Sequence, residues 1–211
     1  MVLASVRPFF DFALEVLEMT PFAYGLATLA ALWAMGGGNM ELFWQRQIWL
    51  AIILLILGVN VVLAQKRMRI FKINSASLML GAGSALAAAI PVVALIWIGR
   101  HIDSSSIPYF KESLYQIHPP GLLAVLVGSI FLATGHEIIS RGILAPEFGI
   151  PGIAFLDALA IGFGLQQVLP FFLFWIMGYF WGFLSRQFGF MTALVSHVLW
   201  SLITLSALCW L

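Results

Sequence analysis

Seven apolar stretches, at about residues 20–38, 48–65, 74–99, 121–145, 152–167, 168–185 and 188–211, set the terms on which this chain can fold. A helix needs about 20 mostly apolar residues to cross the hydrocarbon core of a bilayer. Hydrocarbon offers the backbone no hydrogen-bond partners, so only helices or a closed barrel can span it. The runs lack the period-2 alternation of barrel strands. The sequence therefore predicts an all-α, polytopic transmembrane helical bundle of about seven spans. The fifth run is short and Pro170 marks its passage into the sixth, which leaves open whether the two form two spans or one re-entrant element. With 62% hydrophobic and 9% charged residues, against roughly 25% charged in soluble domains, a soluble fold is excluded. The 211 residues leave no room for a separate soluble domain.

Charge placement sets the expected orientation. Lys66, Arg67, Arg69 and Lys72 lie between the second and third runs with no acidic residue among them, which reads as a cytoplasmic loop. The N-terminus is then cytoplasmic, while the loop with Glu41 and Arg46 and the long loop from Arg100 to Pro120 are extracytoplasmic. Residues 1–19, where Arg7 precedes Asp11, Glu15 and Glu18, lack the basic start and cleavage site of a secretory signal and read as an interfacial amphipathic segment. Residues 20–120 form the N-terminal helices and the extracytoplasmic loop, and residues 121–211 form a core. The net charge of +1 gives no pull toward nucleic acid, so the expected partner is the lipid bilayer. The short loops fit a prokaryotic inner membrane. Cys209 is the single cysteine and can form no internal disulfide. Gly81, Gly83, Ala85, Ala87, Ala88 and Ala89 would let the third helix approach a neighbour closely. Trp44, Trp49, Trp97 and Tyr109 read as interfacial anchors.

Ionisable groups near a bilayer centre cost at least about 2.5–3.5 kcal/mol each, so each needs a partner or a purpose. The fourth run holds His136, Glu137, Ser140 and Arg141, the fifth Asp157, Gln166 and Gln167, and the seventh Ser196, His197 and Ser201. On a helix Glu137 and Arg141 share a face and can neutralise each other. His136 and Ser140 share the adjacent face, and His197 with Ser201 repeats the same spacing. Glu137 with Arg141 also reads as a buried pair that fixes helix register, and Asp157, close after Gly152, as a solvated interfacial group.

Three reaction classes can be set against these residues. A zincin needs a second histidine four residues after the first, and here Ser140 stands in that place. His136, Glu137 and His197 could supply three ligands from two helices, yet their spacing does not require a metal, and neither a metal nor another cofactor is assigned. A serine nucleophile at Ser140 or Ser196 lacks the glycine pattern of a nucleophile elbow. The third class, a carboxylate or imidazole that activates water inside the membrane while histidine and amide groups hold the oxyanion, uses the residues that are otherwise hardest to explain.

The run Gly135-His-Glu-Ile-Ile-Ser-Arg-Gly-Ile-Leu144 resembles the first motif of the CPBP family, the CAAX proteases and bacteriocin-processing enzymes also called Abi. Phe163-Gly-Leu-Gln-Gln167 resembles its second motif, Phe followed four residues later by His. Gly178, Phe188, Ala193, His197 and Ser201 are similar to its last two helices and their His-x-x-x-Asn signature. The resemblance covers roughly residues 121–205 in order and spacing. It implies a bundle with an active site inside the membrane, cleaving membrane-associated peptides or proteins by a metal-dependent route or by a glutamate-activated water. Carried over residue by residue, the family's adjacent glutamates fall on His136 and Glu137 and its arginine on Arg141. The histidine of the second motif becomes Gln167; the last histidine is His197, with Ser201 where asparagine would stand.

Two functions follow. In the first, His136, oriented by Glu137 or another carboxylate, serves as base while His197 and Gln167 stabilise the oxyanion. The catalytic set is then His136, Glu137, Arg141, Gln167, His197 and Ser201. In the second, the fold has given up chemistry and serves as a membrane scaffold that binds another membrane protein.

Overall fold

The computed structural model describes residues 44–45, 48–49, 51–56, 58–59, 71–101, 118–165 and 168–210. The first apolar run, Glu41 and Arg46, the basic residues 66, 67 and 69, Tyr109, Gln166 and Gln167 lie outside them. Among the described residues, five helices follow residue 71: α1 (Ser75–His101), α2 (Leu122–Leu144), α3 (Ala145–Leu165), α4 (Val168–Phe188) and α5 (Phe190–Trp210). No strand occurs among the described residues. Among the described residues, four helices, α1, α2, α4 and α5 as far as Cys209, are long and apolar enough to cross a membrane. The apolar part of α3, Phe148–Leu159, is shorter.

Local chemistry fixes the helix ends. Asn74 caps α1: its Oδ1 accepts from the Ser77 backbone N–H at 2.6 Å, and the Asn74 N–H donates back to Ser77 Oγ at 3.2 Å, a reciprocal cap that satisfies donors a helix start leaves open. Between α4 and α5 the turn is Gly189 alone, at φ 94°. Its N–H donates to the Ser185 carbonyl, and its own carbonyl accepts from Thr192 N–H, both at 3.1 Å, so one residue ends one helix and starts the next. Gly149, at φ 70° and ψ 166°, breaks α3 after its first turn, and Pro151 follows in the new direction.

α2 is not a uniform α-helix. Val127–Leu132 and Ile138–Leu144 wind as wide π-helical turns around a short α segment, Ala133–Glu137. Such widened turns shift side-chain register and recur at functional sites. Here they bracket His136 and Glu137.

α1 and α5 run parallel. Phe71 meets Phe190 edge to face at 5.5 Å, a Cβ at Gly81 would lie 2.9 Å from the Thr192 carbonyl oxygen, Trp200 Nε1 donates to the Ala88 carbonyl at 3.4 Å, and Arg100 donates to the Leu208 carbonyl at 3.3 Å. The small-residue run explains the closeness in part: Gly81, Ala85 and Ala89 are buried on one face, whereas Gly83 and Ala87 are exposed. Trp49 and Trp97 are exposed, in keeping with a membrane-facing position, but Trp44 is buried. Its indole N–H donates to the His118 carbonyl at 2.9 Å, so it ties two segments together.

Candidate functional site

The ionisable residues of the apolar runs meet at one place, between α2, α3, α4 and α5. Glu137, wholly buried, accepts from His197 Nδ1 at 2.8 Å across the α2–α5 contact. The Trp181 ring of α4 stacks on a face of the His197 ring, with centroids 3.6 Å apart and planes 13° from parallel. The hydrogen bond at the ring edge and the indole on the ring face leave the imidazole little freedom to rotate. His136 stands edge to face with His197 at 5.5 Å.

Asp157 is the hub of the second half of the site. Ser140 Oγ donates to its Oδ1 at 2.9 Å and Arg141 Nη1 to its Oδ2 at 2.6 Å. His136 Nε2 lies 3.0 Å from Oδ1, close enough for an ion contact but off the line of a ring N–H hydrogen bond, so that both ring nitrogens lack an aligned partner. The expectation that Asp157 is a solvated interfacial group is therefore corrected: its side chain is only 12% exposed. The helix already begins at Ala145 and bends at Gly149, which carries Asp157 two turns into the bundle.

Arg141 holds three helices together. Besides Asp157 on α3 it donates to the Gly178 carbonyl of α4 at 2.7 Å, and it lies 3.7 Å from Glu137. The i, i+4 pairing with Glu137 read from the sequence is present, but as the longer of its two carboxylate contacts. A Cβ at Gly178 would fall 3.3 Å from Arg141 Nη2 and 3.1 Å from the Ala154 backbone, so glycine there lets α4 offer its carbonyl to the guanidinium.

Of the six residues expected at the site, the structure brings together His136, Glu137, Arg141 and His197. Ser201 is buried one turn along α5 from His197, and no hydrogen bond links its hydroxyl to the cluster. Gln167 lies outside the described residues. Asp157 and Trp181 complete the site and were not among the six. The signal for Asp157 was its charge inside an apolar run; a tryptophan among Phe171–Phe183 gave none.

Several buried polar atoms here lack a partner: Glu137 Oε2, both His136 nitrogens, Trp181 Nε1 and Ser196 Oγ. Access is uneven. The His136 side chain is 13% exposed, against 0% for Glu137, 2% for Arg141 and 5% for His197, so His136 and Asp157 form the open face. On the Arg141 side of the site a cavity of about 300 Å³, lined by Arg141, Gly149, Ile153, Ser185 and Arg186 among others, lies between the α3 bend and the end of α4. His136, Glu137 and His197 offer one ligand atom each within 4.8 Å of one another, a donor set able to hold a metal ion. Comparison with family models, curated proteins and solved structures finds no match.

Proposed function

We propose that the chain is an intramembrane peptidase of the CPBP type with a rebuilt centre, acting on membrane-associated peptides or proteins. The observation that carries this reading is His136, whose side chain is 13% exposed and whose Nε2 lies 3.0 Å from the Asp157 carboxylate. A carboxylate on one ring nitrogen orients an imidazole and stabilises its protonated form, leaving the other nitrogen to take a proton. Asp157 thus supplies the orienting carboxylate that the base His136 needs. Ser140 and Arg141 keep it in place.

In the proposed reaction a water molecule at His136 gives up its proton to the imidazole as its oxygen adds to the peptide carbonyl. The imidazolium then returns the proton to the departing amine as the C–N bond breaks. The proton balance closes on His136 alone. His197, fixed between Glu137 and Trp181, lies beside the reacting group and shapes the place of the developing oxyanion. The cavity next to Arg141 provides room for a substrate side chain. The compartment that suits this reading is a prokaryotic inner membrane with Lys72 on the cytoplasmic side.

The test is cleavage of a membrane-peptide library by purified protein in bilayers. His136→Ala should lower the rate by about 10²–10⁴, the usual worth of a general base, and Asp157→Asn should lower it while leaving substrate affinity intact. Cleavage that survives His136→Ala ends the proposal. A second reading, a membrane scaffold without chemistry, draws on Arg141, whose contacts reach α2, α3 and α4 and which would serve as a structural tie. On that reading gentle extraction yields a stable complex with another membrane protein, and His136→Ala leaves the complex intact.

A further inference from the structure

We infer that the cavity between the α3 bend and the end of α4 is a binding site for the phosphate headgroup of an anionic phospholipid, with Ser185 and Arg186 at its outer end. The first observation is where the cavity runs. Its walls include Arg141 of the buried cluster and, on α4, Gly182, Ser185 and Arg186. From Gly178, whose carbonyl accepts from the Arg141 guanidinium, to Ser185 the helix rises about 10 Å at about 1.5 Å per residue. The cavity therefore reaches from the cluster to the end of the bundle marked by Gly189 and Lys72, where α4 leaves the apolar layer and lipid headgroups lie. Basic pockets between spanning helices at that level are where anionic headgroups bind.

The second observation is charge. Arg141 is 2.6 Å from the Asp157 carboxylate and 3.7 Å from that of Glu137, so its charge is already met from inside the protein. Arg186 is exposed and makes no ion pair among the described residues. It is the cation of the cavity left to meet a charge from outside. Ser185 beside it offers a hydroxyl. Gly149 turns the backbone so that the rest of α3 sets out from Ile150 at the cavity wall, which brings the positive end of that helix's dipole to the same place. Phosphate oxygens accept from a guanidinium and are favoured at such a helix start.

The third is a track for the acyl chain. Phe172, Ile176, Tyr179 and Phe183 are all exposed and follow one another at spacings of four, three and four, which makes one stripe along α4. Three residues further the stripe reaches Arg186. A lipid whose chain lies along these side chains has its phosphate at the guanidinium. Ala145, Pro146 and Ile150 line the cavity with apolar surface that suits the glycerol end of a lipid and gives nothing to a free phosphate ion. The headgroup holds the outer end of the cavity and leaves the Arg141 end to a substrate side chain. The lipid site stands or falls independently of peptidase activity.

The experiment uses the full chain, purified in mild detergent and washed free of endogenous lipid. Native mass spectrometry follows its titration with phosphatidylglycerol, with phosphatidylcholine and with inorganic phosphate. The expected result is one phosphatidylglycerol per chain, held about 5–10-fold more tightly than phosphatidylcholine, the size of effect one cation at a membrane surface gives. Arg186→Ala should remove that preference. Ala145→Leu, which narrows the cavity and leaves every charge in place, should weaken phosphatidylglycerol as well. Lys72→Ala, which removes an exposed cation at the same end of the bundle but outside the cavity, should keep the full preference. Should the Ala145 variant fail to fold, the exposed Arg186 and Lys72 positions decide. No preference in the wild type, or an equal loss from Lys72→Ala, overturns the proposal and leaves only diffuse surface charge. Displacement of the lipid by inorganic phosphate at a like concentration overturns the lipid assignment and shows a pocket for the free ion.

Discussion

Arg141 shows how one side chain can set the geometry of several. Its guanidinium is 2.6 Å from Asp157 and 2.7 Å from the Gly178 carbonyl, with Glu137 at 3.7 Å, so removing it strands a buried carboxylate. Breaking a buried pair from one side costs about 3–5 kcal/mol. Arg141→Ala should therefore lose about that much stability in detergent denaturation. Adding Asp157→Ala to the same chain should recover part of the loss, because partners in one network do not add; fully additive losses would show that Arg141 acts elsewhere. At this scale the sequence was informative about identity more than contact. His136, Glu137, Arg141 and His197 stood out because charged or imidazole groups do not sit in apolar runs without cause. Asp157 carried the same signal but was assigned to the interface, since nothing in the residues shows that the helix begins before Gly149 and bends there. Trp181 was invisible, as an aromatic in an apolar helix reads as packing or lipid contact.

Among the elements, the contact between α3 and α4 decides whether the site assembles. Gly178 has Ala154 of α3 at 3.1 Å from the position a Cβ would take, which leaves no space for a branched side chain. Gly178→Val should push α4 outward and cost about 1–3 kcal/mol, the range for overpacking a filled interior. It should also reduce cleavage more than the stability loss alone accounts for, because the Arg141 contact to the Gly178 carbonyl would lengthen. Equal activity per folded molecule would separate the helix contact from the site. The π-helical turns of α2 belong to this level too. Local sequence around Val127–Leu132 and Ile138–Leu144 reads as ordinary apolar helix, and the widened winding answers to tertiary contacts that no short-range pattern encodes. An i, i+4 argument across Ile138–Leu144 thus found the right pair, Glu137 and Arg141, and missed that Ser140 and Arg141 both reach the carboxylate of Asp157.

For the whole molecule, the apolar runs made the all-helical membrane architecture legible, because length and hydropathy are properties a bilayer reads directly. How the helices associate was not legible: lipid-facing and helix-facing residues are equally apolar. The parallel alignment of α1 and α5 came only from the structure, and it makes a topological prediction. Lys72, just before α1, and Gly189, just before α5, should face one compartment. In a Cys209→Ala background, Lys72→Cys and Gly189→Cys should both react with a membrane-impermeant maleimide from the same side, the cytoplasmic one by the charge argument. Labelling from opposite sides would contradict the alignment.

That alignment also bears on how the chain is made. The partner that fills the small-residue groove of α1 is the last helix of the five, and the hydrogen bond from Trp200 to Ala88 spans 112 positions. During synthesis α1 must wait in the bilayer with Gly81, Ala85 and Ala89 unfilled, and Glu137 must wait for His197, until α5 leaves the ribosome. A nascent chain stopped near residue 189 would display both an open groove and a carboxylate without its histidine partner, two marks by which membrane quality-control proteases could tell it from the finished protein.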